Sequence, residues 1–104
     1  MDELVARVPA DIKDLIPGFR ENRRREIQEL RGVVAAANFE RLQHIAERMY
    51  SLGNPFGFPQ ITIFGREMRE ACDAQDMKCA GRIISRYETY LADVTVTFVE
   101  SPSQ

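Results

Sequence analysis

The sequence has no tryptophan, few cysteines and a single histidine, His44, and it has no apolar run that approaches the roughly 18 residues of a membrane span. Cys72 and Cys79 have no histidine near them in the sequence, so the ligands of a zinc site are missing and we expect neither a metal nor another cofactor. The opening stretch MDELVARVPADIK is too acidic and too poor in apolar residues for a signal peptide. We therefore expect a soluble cytoplasmic protein whose two thiols are reduced.

The charge of the chain is nearly balanced, with a formal net charge of -2 at pH 7. An excess of positive charge is therefore absent, and we expect binding neither to nucleic acid nor to an anionic membrane. The composition, with 44% hydrophobic and 29% charged residues, is typical of globular proteins. A chain of 104 residues is long enough to form one domain around a single core.

Apolar residues recur with a helical period from Asp11 to about Val94. The pattern predicts helices over 11–36 (interrupted around Pro17), 39–53, 59–75 and 77–94. Asn38 and Asp76 are suitable N-caps for the second and fourth helices, and Pro59 suits the first turn of the third. The apolar positions of the first helix are Ile12, Leu15, Phe19, Ile27, Leu30 and Val34. The residues predicted to be buried are Leu30, Leu42, Ala46, Met49, Phe64, Met68, Ile84 and Tyr87.

The connections between these helices are short, which makes successive helices antiparallel neighbours. The predicted fold is all-α: an antiparallel up-and-down four-helix bundle over residues 1–95, with a short kinked N-terminal helix. The tail at 96–104 belongs to the stretch TVTFVESPSQ, which alternates β-branched or apolar residues with polar ones. We expect this tail to be extended against the bundle or a neighbouring chain, and to be disordered after Glu100.

The second helix should carry one polar stripe that faces solvent, because its polar residues recur at three- and four-residue spacing. This stripe contains Gln43, His44, Glu47, Tyr50, Ser51 and Asn54. Periodicity alone indicates no more than a solvated helix surface. No Ser-His-Asp or Cys-His partner accompanies His44, so we expect no enzyme active site.

The segments IPGFRENRRREIQELRGVVAAANFERLQHIAERM and GFPQITIFGREMREAC resemble the histidine-containing phosphotransfer (HPt) domain of two-component phosphorelays, over roughly residues 10 to 95. That family has a His-x-x-Lys-Gly pattern on its second core helix, with another glycine ten residues after the histidine. Gly57 fixes the register here, and counting back ten residues gives Glu47 at the phosphoacceptor position. Tyr50 then occupies the position of the lysine and Ser51 that of the first glycine. Shifting the register to use His44 would turn the buried side of the helix outward.

These substitutions change the chemistry that the resemblance implies. A neutral imidazole nitrogen is nucleophilic near pH 7, whereas the glutamate at position 47 is a weak nucleophile whose acyl phosphate would be labile. Tyr50 cannot offset phosphate charge as the family's lysine does. Ser51 is small enough to keep most of the space that the family's glycine leaves for an approaching receiver domain. Arg48, beside Glu47, could supply the missing positive charge. The run RRR at 23–25, flanked by Glu21 and Glu26, is expected to be a salt-bridged solvated surface.

The resemblance therefore implies a signalling module that binds a response-regulator receiver domain or a sensor kinase through the Glu47 region without carrying phosphate. Two alternatives stay open. The chain could be an active phosphotransfer protein that uses His44, or a helical scaffold or oligomerisation domain whose helix surface or tail pairs with another copy.

Overall fold

The computed structural model describes residues 4–100, so the expected disorder after Glu100 lies outside the described residues. Four helices account for most of this part of the chain. They are α1 (Ile16–Ala35), α2 (Phe39–Leu52), α3 (Pro59–Asp73) and α4 (Met77–Asp93), and a 3₁₀-helix (Ala10–Leu15) precedes them. Two short strands, β1 (Val5–Pro9) and β2 (Thr95–Val99), flank the helices. None of the helices within residues 4–100 is both long enough and apolar enough to span a membrane.

The helices surround one apolar core, to which all four contribute. Each helix contacts the next one along the chain, and α1 also contacts α4; α2 and α3 share the most extensive contact. The core contains the residues predicted to be buried in the later helices, and that prediction is confirmed: these are Leu42, Ala46, Met49, Phe64, Met68, Ile84 and Tyr87, together with Leu30 of α1. The prediction of a mostly helical fold with four helices is confirmed, but the predicted all-α class did not include the two paired strands.

Leu15, one of the apolar positions of the predicted first helix, lies outside the core and is 55% exposed. The reason is the 3₁₀-helix that precedes α1. Its backbone is not helical at Ile12 (φ -108°, ψ 17°), so the 3.6-residue period of α1 does not extend back through it. Pro17 lies in the first turn of α1, where its missing N–H removes no helical hydrogen bond. The predicted interruption near Pro17 is therefore the start of the main helix.

The predicted helix caps are present. The Asn38 side chain accepts a hydrogen bond from the Arg41 backbone N–H at 3.1 Å. The Asp76 side chain accepts one from the Cys79 backbone N–H at 2.9 Å. Each cap satisfies one of the N–H groups that the first turn of a helix leaves without a partner, and each fixes where its helix begins.

The two strands pair in parallel, with Val5 opposite Thr95 and Pro9 opposite Val99. The extended tail was predicted, but its partner β1 was not, because the two strands lie at opposite ends of the described chain. Ala6 and Val8 of β1 are buried. The strands thereby attach both ends of the described chain to the helical core.

Gly57 lies in the turn between α2 and α3, directly against β1. Its φ is +88°, a conformation that side chains with a Cβ rarely adopt. A Cβ at this position would lie 2.7 Å from the Arg7 carbonyl oxygen and 2.9 Å from the Val8 Cα. Because both obstacles are backbone atoms, only glycine fits where this turn crosses the strand.

The ends of α1 and α3 use a left-handed residue that is not glycine. Ala37 has a φ of 53° and Gln75 a φ of 52°. At the end of α3 the Gln75 N–H donates to the Cys72 carbonyl at 2.9 Å, and the Asp76 N–H donates to the Ala71 carbonyl at 2.9 Å. This pattern closes the helix but strains a residue that carries a Cβ.

We predict that Gln75→Gly raises the free energy of unfolding by about 0.5–1 kcal/mol, because glycine adopts a positive φ without steric cost. The matched control is Ala74→Gly, one residue earlier, where φ is -84°. That change should lower the free energy of unfolding by about 0.5–1 kcal/mol, since only the unfolded chain gains freedom. Urea unfolding of both variants measures the difference, and equal effects of the same sign would contradict the strain at Gln75.

Candidate functional site

Helix α2 separates the predicted site residues from the core. Leu42, Ile45, Ala46 and Met49 form its buried side, and Glu47 is exposed, as predicted. Successive residues on a helix are rotated by about 100°, which places the polar stripe on the side of α2 that is directed to solvent and toward α3. We call this stripe the Glu47 face; it consists of Gln43, His44, Glu47, Tyr50, Ser51 and Asn54.

The Glu47 carboxylate is held from within its own helix. The Gln43 Nε2 donates a hydrogen bond to Glu47 Oε2 at 3.1 Å, the geometry of an i, i+4 pair. Within residues 4–100, Glu47 makes no ion pair. His44 is exposed one turn earlier on the same side of the helix. The face therefore presents one carboxylate that is oriented but not neutralised.

Helix α3 lies unusually close to α2 beside this face. A Cβ on Gly65 would lie 2.4 Å from the Tyr50 backbone N and 2.8 Å from the Ala46 carbonyl oxygen, so only glycine permits this approach. The Arg69 guanidinium, one turn further along α3, lies over the Tyr50 ring with 4.8 Å to the ring centroid. Arg69 is a positively charged neighbour of the face that the sequence analysis missed. The sequence feature that could have indicated Arg69 is Gly65, four residues earlier, because this glycine lies where α3 contacts α2.

The end of α2 is closed by a side chain from α3. The Asn54 backbone N–H donates to Thr62 Oγ1 at 2.9 Å, and the Thr62 hydroxyl donates to the Tyr50 carbonyl oxygen at 3.0 Å. Gly53 makes room for this, since a Cβ there would lie 2.4 Å from the Thr62 backbone N. These bonds fix the backbone that carries Tyr50, Ser51 and Asn54. The side chains of Ser51 and Asn54 remain exposed.

Arg48 does not join the other predicted residues. It is directed toward α1, where its Nε donates to Glu26 Oε2 at 2.8 Å and its terminal nitrogen lies 3.5 Å from Glu29 Oε1. Partial burial opposes the charge of Arg48, but the hydrogen bond and charge of Glu26, with those of Glu29, raise its pKa above the ordinary arginine value. The positive charge proposed to stand beside Glu47 is thus paired with α1.

Glu26 is a buried carboxylate with contacts from three helices. It accepts a hydrogen bond from the Tyr87 hydroxyl of α4 at 2.8 Å as well as the one from Arg48 of α2. On its own helix, Arg23 Nε lies 3.3 Å from Glu26 Oε1. Burial and the nearby negative charge of Glu26 raise the pKa of Tyr87 well above 10, so the hydroxyl keeps its proton.

The prediction that the RRR run is a solvated surface is therefore wrong for Arg23, which is 6% exposed, and for its flanking residue Glu26, which is 3% exposed. Arg24 and Arg25 fit the prediction, since both are exposed and lie within ion-pair distance of Glu21. Arg23 is four residues after Phe19 and four before Ile27, which puts it on the buried side of α1. This spacing in the sequence would have predicted that Arg23 is buried.

The cysteines do not contribute to the Glu47 face. Cys72 is buried and Cys79 half-buried, and both are free thiols. Burial, with a smaller effect from the charge of Asp73, raises the pKa of Cys72 and makes it less reactive. Within residues 4–100, no group of three or more histidine, cysteine or acidic side chains is arranged to hold a metal ion.

We predict that Tyr87→Phe lowers the free energy of unfolding by about 2 kcal/mol at pH 7, because Glu26 loses a hydrogen bond to a buried charge. Above pH 10 the unfolded chain releases the Tyr87 proton while the native state keeps it, so this tyrosine's contribution falls as pH rises. Phenylalanine has no such proton. The difference in free energy of unfolding between the parent and Tyr87→Phe should therefore narrow by up to about 1.4 kcal/mol per pH unit above pH 10. Burial also raises the pKa of Tyr90 to about 12, against the opposing charge of Arg20. Tyr90 is present in the parent and in Tyr87→Phe, so its titration does not change the difference between them.

The measurement is urea unfolding of the parent and Tyr87→Phe from pH 7 to pH 11. Tyr50→Phe is the control at pH 7, since this ring is 42% exposed, and it should change the free energy of unfolding by less than about 0.5 kcal/mol. A difference in free energy of unfolding between parent and Tyr87→Phe that stays constant above pH 10 would contradict the raised pKa of Tyr87, and no difference at pH 7 would contradict the bond to Glu26.

Comparison of the chain with models of protein families, with curated proteins and with solved structures finds no match in any of the three.

Proposed function

We propose that this chain is an HPt-like signalling module, an up-and-down four-helix bundle that acts in a cytoplasmic two-component phosphorelay. It binds a receiver domain or a sensor kinase through the Glu47 face and carries no phosphate itself. The observation that carries the proposal is the exposed Glu47 carboxylate on α2, at the position where the resembled family has its phosphoacceptor histidine. Gln43 holds this carboxylate in place.

The chemistry of Glu47 supports docking over phosphotransfer. A carboxylate is a poor nucleophile compared with imidazole, and an acyl phosphate hydrolyses readily. Its single negative charge is also less than the nearly two charges of a phosphoryl group, so Glu47 imitates a phosphorylated site only in part. Recognition then depends on the surface as a whole.

The surroundings of Glu47 are suited to a protein partner. Ser51 and Asn54 are exposed and short, which leaves the approach to the carboxylate open. Tyr50 is 42% exposed and its ring is held by Arg69, so it is a rigid aromatic group of the kind enriched in interface cores. Arg69 adds a positive charge in the region where the family's lysine would lie. Arg48 remains at the edge of the surface through its partly exposed guanidinium.

The two alternatives make different use of the same molecule. His44 is exposed and would be accessible to a phosphoryl donor. The scaffold alternative pairs either the helix surface or the tail with another copy. For the tail, β2 already pairs with β1 of its own chain, and that pairing uses one edge of each strand. The docking proposal needs neither His44 chemistry nor a second copy.

We predict that the chain accepts no stable phosphoryl group. Incubation with a phosphorylated receiver domain, followed by electrophoresis that preserves acid-labile phosphate, should leave the chain unlabelled because neither Glu47 nor an unactivated His44 holds phosphate. An acid-labile label that His44→Ala removes would contradict this and would establish the phosphotransfer alternative. An HPt domain with its histidine intact serves as the positive control.

We further predict that binding to receiver domains is stronger with Mg²⁺ than with a chelator. Receiver active sites, by family resemblance, are acidic clusters that hold Mg²⁺, and the bound ion reverses the local charge that would otherwise repel Glu47. Glu47→Lys should weaken binding more than Glu47→Gln, since lysine opposes the ion and glutamine only removes charge. His44→Ala should have a smaller effect than either.

The measurement is titration of the labelled chain against a panel of purified receiver domains, with Mg²⁺ or with EDTA. Glu40→Lys is the matched control, because it makes the same charge change on the exposed surface of α2, two turns before Glu47. If Glu47→Lys binds like the parent and chelation has no effect, the Glu47 face is not the docking surface.

A further inference from the structure

A groove of about 310 Å³ lies on the other side of α2, where the first turns of α1 meet the end of α2. It does not include any residue of the Glu47 face. Its lining residues are Leu15, Gly18, Phe19, Asn22, Arg23, Leu52 and Phe56. At this volume it is at the small end of the range of protein ligand sites.

Most of the groove is apolar. The rings of Phe19 and Phe56 stack with their centroids 4.3 Å apart and an angle of 11° between their planes. The Phe58 ring also stacks on Phe19, with 5.2 Å between the ring centroids. Leu15 lies at the rim with 55% of its surface exposed. The space beside Gly18 is open, because a Cβ there would meet no atom within 4 Å.

Arg23 is the single charged residue among these lining residues. It is 6% exposed, and its guanidinium lies 4.9 Å from the centroid of the Phe19 ring. Its Nε, although 3.3 Å from Glu26 Oε1, is buried without an aligned hydrogen bond. A guanidinium offers five N–H donors, so one ion pair leaves most of its capacity unused.

The charge balance behind the groove also favours an anion. Glu26, the counter-ion of Arg23, is shared with Arg48, and Glu29 is shared between Arg48 and Arg41. The three arginines of this cluster are thus matched by two carboxylates. The cluster as a whole therefore has one excess positive charge, and Arg23 is its arginine that lines the groove.

We propose that this groove binds a small carboxylate attached to an aromatic or branched apolar group. The apolar part lies against Phe19, Phe56 and Leu52, and the carboxylate pairs with the Arg23 guanidinium at the base, within reach of the Asn22 amide. A carboxylate matches the one excess positive charge of the cluster, whereas a dianionic phosphate would leave one negative charge in an apolar site without a partner. The proposal is independent of the Glu47 face.

The test is a titration followed by the backbone amide NMR signals of the full chain, with 3-phenylpropionate as the probe. We expect saturable shifts at Gly18, Phe19, Asn22, Leu52 and Phe56. The matched neutral probe, 3-phenylpropanamide, should bind at least about tenfold more weakly because it lacks the charge that Arg23 recognises. 2-Phenylethylammonium, with the opposite charge, should cause no saturable shifts at these amides.

Two variants assign the effect to this groove. Leu15→Glu places a like charge at the exposed rim and should weaken binding of 3-phenylpropionate at least about tenfold. Leu4→Glu is the matched control, because Leu4 is also an exposed leucine but lines a different groove, between α3 and α4. The Leu4→Glu variant should bind 3-phenylpropionate as tightly as the parent. Arg23→Gln should also remove binding.

Leu15→Glu keeps the test decisive if Arg23→Gln fails to fold, because Leu15 is largely exposed. Equal binding of the acid and the amide would overturn the proposal, as would shifts that saturate elsewhere or do not saturate. A negative result of this titration would not contradict receiver binding through the Glu47 face. A negative result for receiver binding would likewise not contradict the proposed groove site.

Discussion

The buried carboxylate of Glu26 connects three of the four helices, and the arrangement of the rest depends on it. Removing such a charge from water costs several kcal/mol, which is recovered only if its oxygens are fully hydrogen-bonded. Arg48 of α2 and Tyr87 of α4 supply these bonds at 2.8 Å each, and Arg23 supplies the ion pair. Removing one partner of a buried pair typically costs about 3–5 kcal/mol. The cluster therefore favours the relative position of α1, α2 and α4 in which all of these contacts form together.

This constraint determines which polar residues of α2 are available for function. Glu47 and Arg48 are neighbours in sequence, but a rotation of about 100° separates them on the helix. Arg48 is directed to α1, where the fold needs its charge, while Glu47 is directed to solvent and keeps an uncompensated negative charge. The positive charge beside the Glu47 face comes instead from Arg69 of α3, across the close contact at Gly65. Thus the charges of the candidate site are set by helix packing and not by proximity in sequence.

Local patterns were sufficient to predict the helices, both side-chain caps and the buried residues of α2, α3 and α4, because periodicity and capping act over a few residues. They were insufficient where the partner lies far away in sequence. The strand β1 pairs with β2 at the opposite end of the chain, so nothing in VARVP alone reveals its partner. Arg23 and Glu26 follow the buried spacing of α1, but their charge suggested solvent exposure. The packing of Arg69 on Tyr50 depended on how closely α3 approaches α2, which single-sequence periodicity does not predict.

The resembled motif separates into parts that the fold requires and parts that only the chemistry requires. Gly57 has no substitute, because its φ is +88° and the β1 backbone fills the space of a Cβ. Glu47, Tyr50 and Ser51 stand at positions whose side chains are exposed, where a change of residue costs the fold little. A chain that no longer needed phosphotransfer would therefore lose the histidine and the lysine first and keep the glycine of the turn. This sequence combines the glycine of the turn with a glutamate and a tyrosine at those exposed positions, a combination that fits the proposed docking function.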